Sequence, residues 1–120
     1  MDDRIRFIEH RGKQILLVDF SHADAAEMLL VLEELRIMAA QYPRESLVTL
    51  GDYTGSTVDH AVATKIKEVL TLDRPFVKKT AWVGTEGIPH AFMENFRTFS
   101  QREIVTFKTR EEAIDWLAEG

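Results

Sequence analysis

Short apolar stretches alternate along this chain with longer amphipathic ones. Between Arg4 and Glu9, Ile5 and Phe7 fall on one side and Arg4 and Arg6 on the other, the period-two pattern of a half-buried strand. Arg11-Gly12 reads as a turn. The unbroken apolar run Ile15-Leu16-Leu17-Val18 predicts a second strand, opening at Lys13 and covered on both faces. The short connection makes the pair an antiparallel hairpin. From Ala25 to about Gln41 the spacing changes to threes and fours, with Met28, Val31, Leu32, Leu35, Met38 and Ala39 on one side of a long helix. Asp24 is placed to cap its start, and Tyr42-Pro43 ends it. A strand over Leu47 to Asp52 leads through a polar turn into a second helix from about Val58 to Leu72, with Val58, Val62, Ile66, Val69 and Leu70 inward. Asp73-Arg74-Pro75 breaks that helix. Val77 to Val83 is the next strand, in which Trp82 is out of phase with Ala81 and Val83 and so faces the other side of the sheet. Pro89 suits the first turn of a third helix with the stripe Ile88, Phe92, Phe96 and Phe99. Ile104 to Phe107 is the last strand. Thr109 and Glu112 have the spacing of a capping box for a short final helix that turns Ala113, Ile114 and Leu117 inward, with Trp116 partly covering the join.

This order predicts an α/β fold: a mixed, mostly parallel sheet of about five strands with four helices. No linker, repeat or low-complexity stretch divides it, so residues 1–120 read as a single domain of common size. Composition agrees, with 45% hydrophobic and 29% charged residues. The absence of cysteine excludes disulfides, thiolate metal sites and cysteine nucleophiles. A net charge of −5 argues against non-specific nucleic-acid binding. No apolar run approaches the roughly 20 residues of a membrane span. Met1-Asp2-Asp3-Arg4 does not read as a signal peptide, so the expected location is cytoplasmic.

The stretch with most chemical promise is Leu47 to Asp59, an apolar strand, a tight turn and a helix start. Open α/β sheets place ligands where a strand's carboxyl end meets a helix N-terminus. Gly55 permits a positive φ there. Ser56 and Asp59 have capping-box spacing, with Thr57 as the other candidate cap. Free N–H groups from Ser56 to Asp59 would then face an anion.

Several other groupings read more plainly. Ser21, His22 and Asp24 have the residue types of a hydrolase triad but sit too close along one loop to converge. Asp19, His22 and Asp24 hold metal-ligand types, with helix capping the simpler role for Asp24. Gly84-x-x-Gly87 lacks the rest of a nucleotide-binding loop. Arg74, Lys78 and Lys79 form a local basic cluster, read as a solvated face because nucleic-acid recognition wants a broader basic surface. No catalytic residue, metal or cofactor is expected. On the long helix, Leu30 and Ile37 fall opposite the core stripe, a candidate oligomer surface.

The chain resembles the STAS domains of anti-sigma-factor antagonists, and more closely their SpoIIAA-like branch of bacterial proteins. The matching residues are Phe7-Ile8-Glu9, Lys13-Gln14-Ile15-Leu16, Asp19-Phe20-Ser21, Asp52-Tyr53-Thr54-Gly55, Arg74-Pro75-Phe76-Val77-Lys78, Ala81-Trp82-Val83-Gly84 and, most specifically, Thr109-Arg110-Glu111-Glu112-Ala113-Ile114-Asp115-Trp116-Leu117. The resemblance implies a STAS-like fold and a non-enzymatic regulatory or protein-interaction module. In the antagonists a turn reading Asp-Ser-Ser-Gly is phosphorylated on the serine beside glycine. By position that residue is Thr54 here, and Asp52 matches the aspartate, while Tyr53 and Ser56-Thr57 depart from the pattern. The resemblance thus marks Thr54 as a candidate phosphorylation site and Asp52, Tyr53, Gly55, Ser56 and Thr57 as the turn and partner surface. A protein partner or a homodimer is expected. The alternative is a small-molecule or lipid carrier with an apolar pocket between the aromatic third helix and the sheet.

Overall fold

The computed structural model describes residues 3–119. Strands β1 (Ile5–His10) and β2 (Lys13–Asp19) form the expected hairpin, turned at Arg11 and Gly12, both at positive φ. Helix α1 (Ala25–Ala39) follows, then β3 (Leu47–Asp52), α2 (His60–Asp73), β4 (Val77–Val83), α3 (His90–Ser100), β5 (Val105–Phe107) and α4 (Arg110–Ala118). The five strands lie in the order β1-β2-β3-β4-β5, antiparallel at the first pair and parallel thereafter. The class, the strand and helix count and the mostly parallel sheet are as the sequence pattern predicts.

Alternation along the strands divides the core in two. Leu16 and Val18 of β2, with Trp82 of β4, point to the face covered by α1, α2 and α3. Ile15 and Leu17 of β2, Leu50 of β3, and Ala81 and Val83 of β4 point to the other face, which α4 covers with Ala113 and Leu117. The unbroken apolar run in β2 is therefore buried on both sides, as such runs are in parallel sheets. Along α1 the predicted stripe is buried at Met28, Val31, Leu32, Leu35 and Ala39. Asp24 caps this helix, accepting from the Glu27 N–H at 2.9 Å, and Glu27 closes the box. Thr109 caps α4 in the same way, accepting from the Glu112 N–H at 3.1 Å.

Two details depart from the sequence pattern. Neither Ser56 nor Thr57 caps α2. Asp59 is the cap, accepting from the Val62 N–H at 2.8 Å. The Ser56 hydroxyl donates instead to the Tyr53 carbonyl at 2.8 Å, closing the turn upon itself. The second correction is on α3. Phe96 is fully buried and Phe92 half-buried, but Phe99 is 60% exposed under the Lys67 ammonium, and Met93 takes the core position instead. Ile88 is buried ahead of the helix, and within α3 the buried side runs through Met93, Phe96 and Ser100.

Candidate functional site

The site is built where β2 and β3 end. Asp19 and Asp52 are the last residues of these neighbouring parallel strands and lie in register, side by side. By alternation both follow Leu17 and Leu50 onto the face that α4 covers. Two adjacent carboxylates repel, and one cation reconciles them. Arg110, the first residue of α4, donates from Nε to Asp52 Oδ2 at 2.6 Å and sets Nη2 3.3 Å from Asp19 Oδ1. The planar guanidinium fork presents separate N–H groups to the two acceptors.

Each aspartate also closes its own loop. The Ser21 N–H and hydroxyl both donate to Asp19 Oδ1, at 2.9 and 2.6 Å. The Thr54 N–H and hydroxyl both donate to Asp52 Oδ1, at 3.0 and 2.7 Å. The two loops are thus copies of one device: aspartate, aromatic residue, hydroxyl residue. The aromatic members, Phe20 and Tyr53, point to the opposite face and stack with ring centres 4.8 Å apart. The loops stay paired beyond the strands, with the Phe20 N–H on the Asp52 carbonyl at 2.8 Å and the His22 N–H on the Thr54 carbonyl at 2.7 Å.

Burial alone would raise the Asp19 carboxyl. The two Ser21 hydrogen bonds and the Arg110 charge outweigh it and hold Asp19 below its ordinary range. Arg110 is likewise opposed by burial, but Asp52 and Asp19 hold its guanidinium more firmly protonated than usual.

The expected turn residues divide. Thr54, Gly55 and Thr57 are exposed, Ser56 is half-buried, and Asp52 is buried beneath them. Tyr53 is the correction: its ring is 4% exposed, stacked on Phe20 and tilted against Trp82 at 4.5 Å, so it is core and not partner surface. Its phenol is pushed up by burial and then by the charge of Asp73. Of the N–H groups expected to form an anion site, Ser56 to Asp59, the first two are used within the chain. The Ser56 N–H donates to the Tyr53 carbonyl and the Thr57 N–H to the Ala23 carbonyl, so neither is open to a ligand. Ser21, His22 and Asp24 do not converge on one another: Ser21 serves Asp19, and Asp24 caps α1.

Leu30 and Ile37 lie 67% and 49% exposed on α1. Between α2 and the sheet is a cavity of about 30 Å³, lined by Phe20, Tyr53, Ile66 and Trp82 among others, and another of about 50 Å³ lies at Phe92 and Phe96. Drug-sized ligands fill roughly 300 to 1,000 Å³, more than either of these spaces holds; an open groove of about 600 Å³ lies beside α3 and β5, lined by Ile88, Met93, Arg97 and Thr106 among others. The sequence pattern singles out Asp19 only as a metal-ligand type and does not single out Arg110. No family model, curated protein or solved structure matches the chain.

Proposed function

We propose that this domain is a non-enzymatic regulatory module of STAS type, acting in the cytoplasm through protein contacts at the Thr54–Thr57 turn. One observation carries the reading. Thr54 is exposed, yet its hydroxyl holds the buried carboxylate of Asp52, and Asp52 in turn holds Arg110 at the start of α4. A phosphate on Thr54 removes the hydroxyl proton that Asp52 accepts. It also brings about −1.5 to −2 charges beside two aspartates that already share one arginine. Arg110 would then face three anionic partners, and the turn or α4 must adjust. Charge added at the surface becomes a rearrangement at a helix end, which a partner protein can read.

The test is a pair of substitutions, Thr54→Val and Thr54→Glu. Both remove the hydroxyl bond to Asp52, so both lose about 1.5 kcal/mol of stability, the low end for a bond to a charged acceptor. Their melting temperatures should fall together. Partner capture separates them: the Glu variant loses a partner that the Val variant keeps. Mapping of phosphosites on protein from its own source should place phosphate on Thr54. Identical partners for both variants, with Thr54 unmodified, would remove the switch.

The exposed pair Leu30 and Ile37 supports self-association through α1. Light scattering should report a dimer of the natural chain at high concentration and a monomer for the Leu30→Glu, Ile37→Glu double variant. A natural chain that stays monomeric removes the dimer.

A further inference from the structure

At the amino-terminal edge of the sheet, opposite the Thr54 turn, lies an open groove of about 710 Å³. β5 is short and pairs only with Ala81, Trp82 and Val83, so Val77 to Thr80 carry no strand on that side. Cations gather around this open edge from segments remote in sequence: Arg44 before β3, Arg74 after α2, and Lys78 and Lys79 on β4. The loops are held together by backbone bonds, from the Glu45 N–H to the Pro75 carbonyl at 2.9 Å and from the Ser46 N–H to the Phe76 carbonyl at 3.2 Å. Lys79 is fixed over the Trp116 ring, 4.5 Å from its centre, and donates to the Trp116 carbonyl at 3.2 Å. Among the described residues, Arg44, Arg74 and Lys78 form no ion pair.

Lysines on a bare strand edge have a simpler use, since they prevent edge-to-edge pairing. That accounts for Lys78 and Lys79. It does not account for two arginines delivered by other segments into the same concavity, in a chain of net charge −5. We propose that the groove binds a small polyanion, a molecule bearing two or more phosphate or carboxylate groups. Guanidinium forks match both groups bidentately, and the groove has the size of a small-molecule site. A nucleic acid fits less well: the unpaired cations are few, Glu45 and Glu103 line the same groove, and the rest of the chain repels an extended polyanion.

The probes are tripolyphosphate, citrate and a duplex oligonucleotide, titrated into the protein at about 0.15 M salt, where exposed charges more than about 8 Å apart are largely screened. Tripolyphosphate or citrate should bind saturably, shifting the Trp116 indole signal and the amides of Lys78, Lys79 and Glu103. Which of the two binds tighter tells phosphate from carboxylate. The Arg74→Glu, Lys78→Glu double variant should weaken binding about tenfold or more. An Arg6→Glu, Lys13→Glu variant makes the same change in net charge at exposed positions on β1 and β2 and should leave affinity within about twofold. Equal weakening in both double variants, absence of saturable binding by either small anion, or binding of the oligonucleotide alone would overturn the proposal.

Discussion

Replacing Arg102 with methionine should cost this domain about 3 to 5 kcal/mol, the range for removing one partner of a buried ion pair. Arg102 and Asp73 are 7% and 4% exposed and pair between α2 and the sheet. Arg102 also donates to the Leu70 carbonyl at 3.0 Å and to the Thr80 hydroxyl. Methionine keeps much of the volume but leaves a carboxylate with no cation, a carbonyl with one donor fewer and a hydroxyl without its donor. The expected result in urea is a lower midpoint with an unchanged slope, because the folded core is the same size. A second replacement, Asp73→Leu, on top of the first should recover most of the loss, since an apolar pair can match a buried ion pair. A double variant no better than the single one would place the cost in shape and not in charge.

The same pair predicts a pH dependence. Burial raises the Asp73 carboxyl from 3.8 to about 6, against the opposing pull of Arg102. A carboxyl raised on folding binds its proton more tightly in the native state. Its contribution to stability is complete below about pH 4 and is lost as pH rises through about 6. Asp19 has the opposite sign: held below 3.8, it contributes above that pH and fails only in stronger acid. Between pH 7 and 5 the natural chain should therefore gain stability relative to Asp73→Asn. The loss on Arg102→Met should also be smaller at pH 5 than at pH 8, because a protonated Asp73 needs no cation. Parallel pH curves for the natural chain and Asp73→Asn would exclude Asp73 as the titrating group.

What could be read in advance was whatever repeats within one element. The run Ile15 to Val18 announced a strand buried on both faces, and the α1 stripe announced its packing, because strand and helix periods are local properties of the chain. Tyr53 was legible too. It continues the alternation of Thr49 and Gly51, and only its place in a turn motif disguised it as surface. Gly51 has the same reading from the neighbouring strand, since a Cβ there would stand 3.0 Å from Trp82 Cδ1. The α2 cap was not legible. Ser56, Thr57 and Asp59 all have cap chemistry within four positions, and the choice fell to the turn, whose backbone used Ser56 and Thr57 first. Arg102 and Asp73 are 29 residues apart and leave no local trace. Arg110 did leave one. A cation as the first residue of a helix opposes the helix dipole, and such a misplaced charge points to anions elsewhere. Asp19-Phe20-Ser21 and Asp52-Tyr53-Thr54 were those anions, repeated at two strand ends.

Gly84→Ala should cost about 2 to 5 kcal/mol, and the expectation follows from what surrounds one hydrogen atom. Gly84 follows β4 at φ 69°, ψ 29°. Any L-residue there pays roughly 1 to 2 kcal/mol for the left-handed conformation. The added Cβ would also stand 2.4 Å from both the backbone nitrogen and the hydroxyl oxygen of Thr54, and 2.7 Å from its Cα. That backbone cannot retreat cheaply. The Thr54 N–H is bonded to Asp52, and the preceding Tyr53 N–H to the Val83 carbonyl at 2.9 Å. Overpacking of this kind adds about 1 to 3 kcal/mol. Gly55→Ala is the contrasting case. Its φ of 65° carries the same conformational cost, but its Cβ would meet the Nδ1 of His22, an exposed side chain that can swing away. The second variant should therefore lose only about 1 to 2 kcal/mol. Urea unfolding of the two, with the Thr54 and Asp52 amide signals followed in each, tests the difference. Equal losses, or Thr54 signals unmoved in Gly84→Ala, would mean the turn yields more easily than its hydrogen bonds imply. If the signals do move, Gly84→Ala displaces Thr54 without altering its chemistry. A partner that reads the turn's shape should then be lost even though the hydroxyl, and any phosphate it carries, remains available.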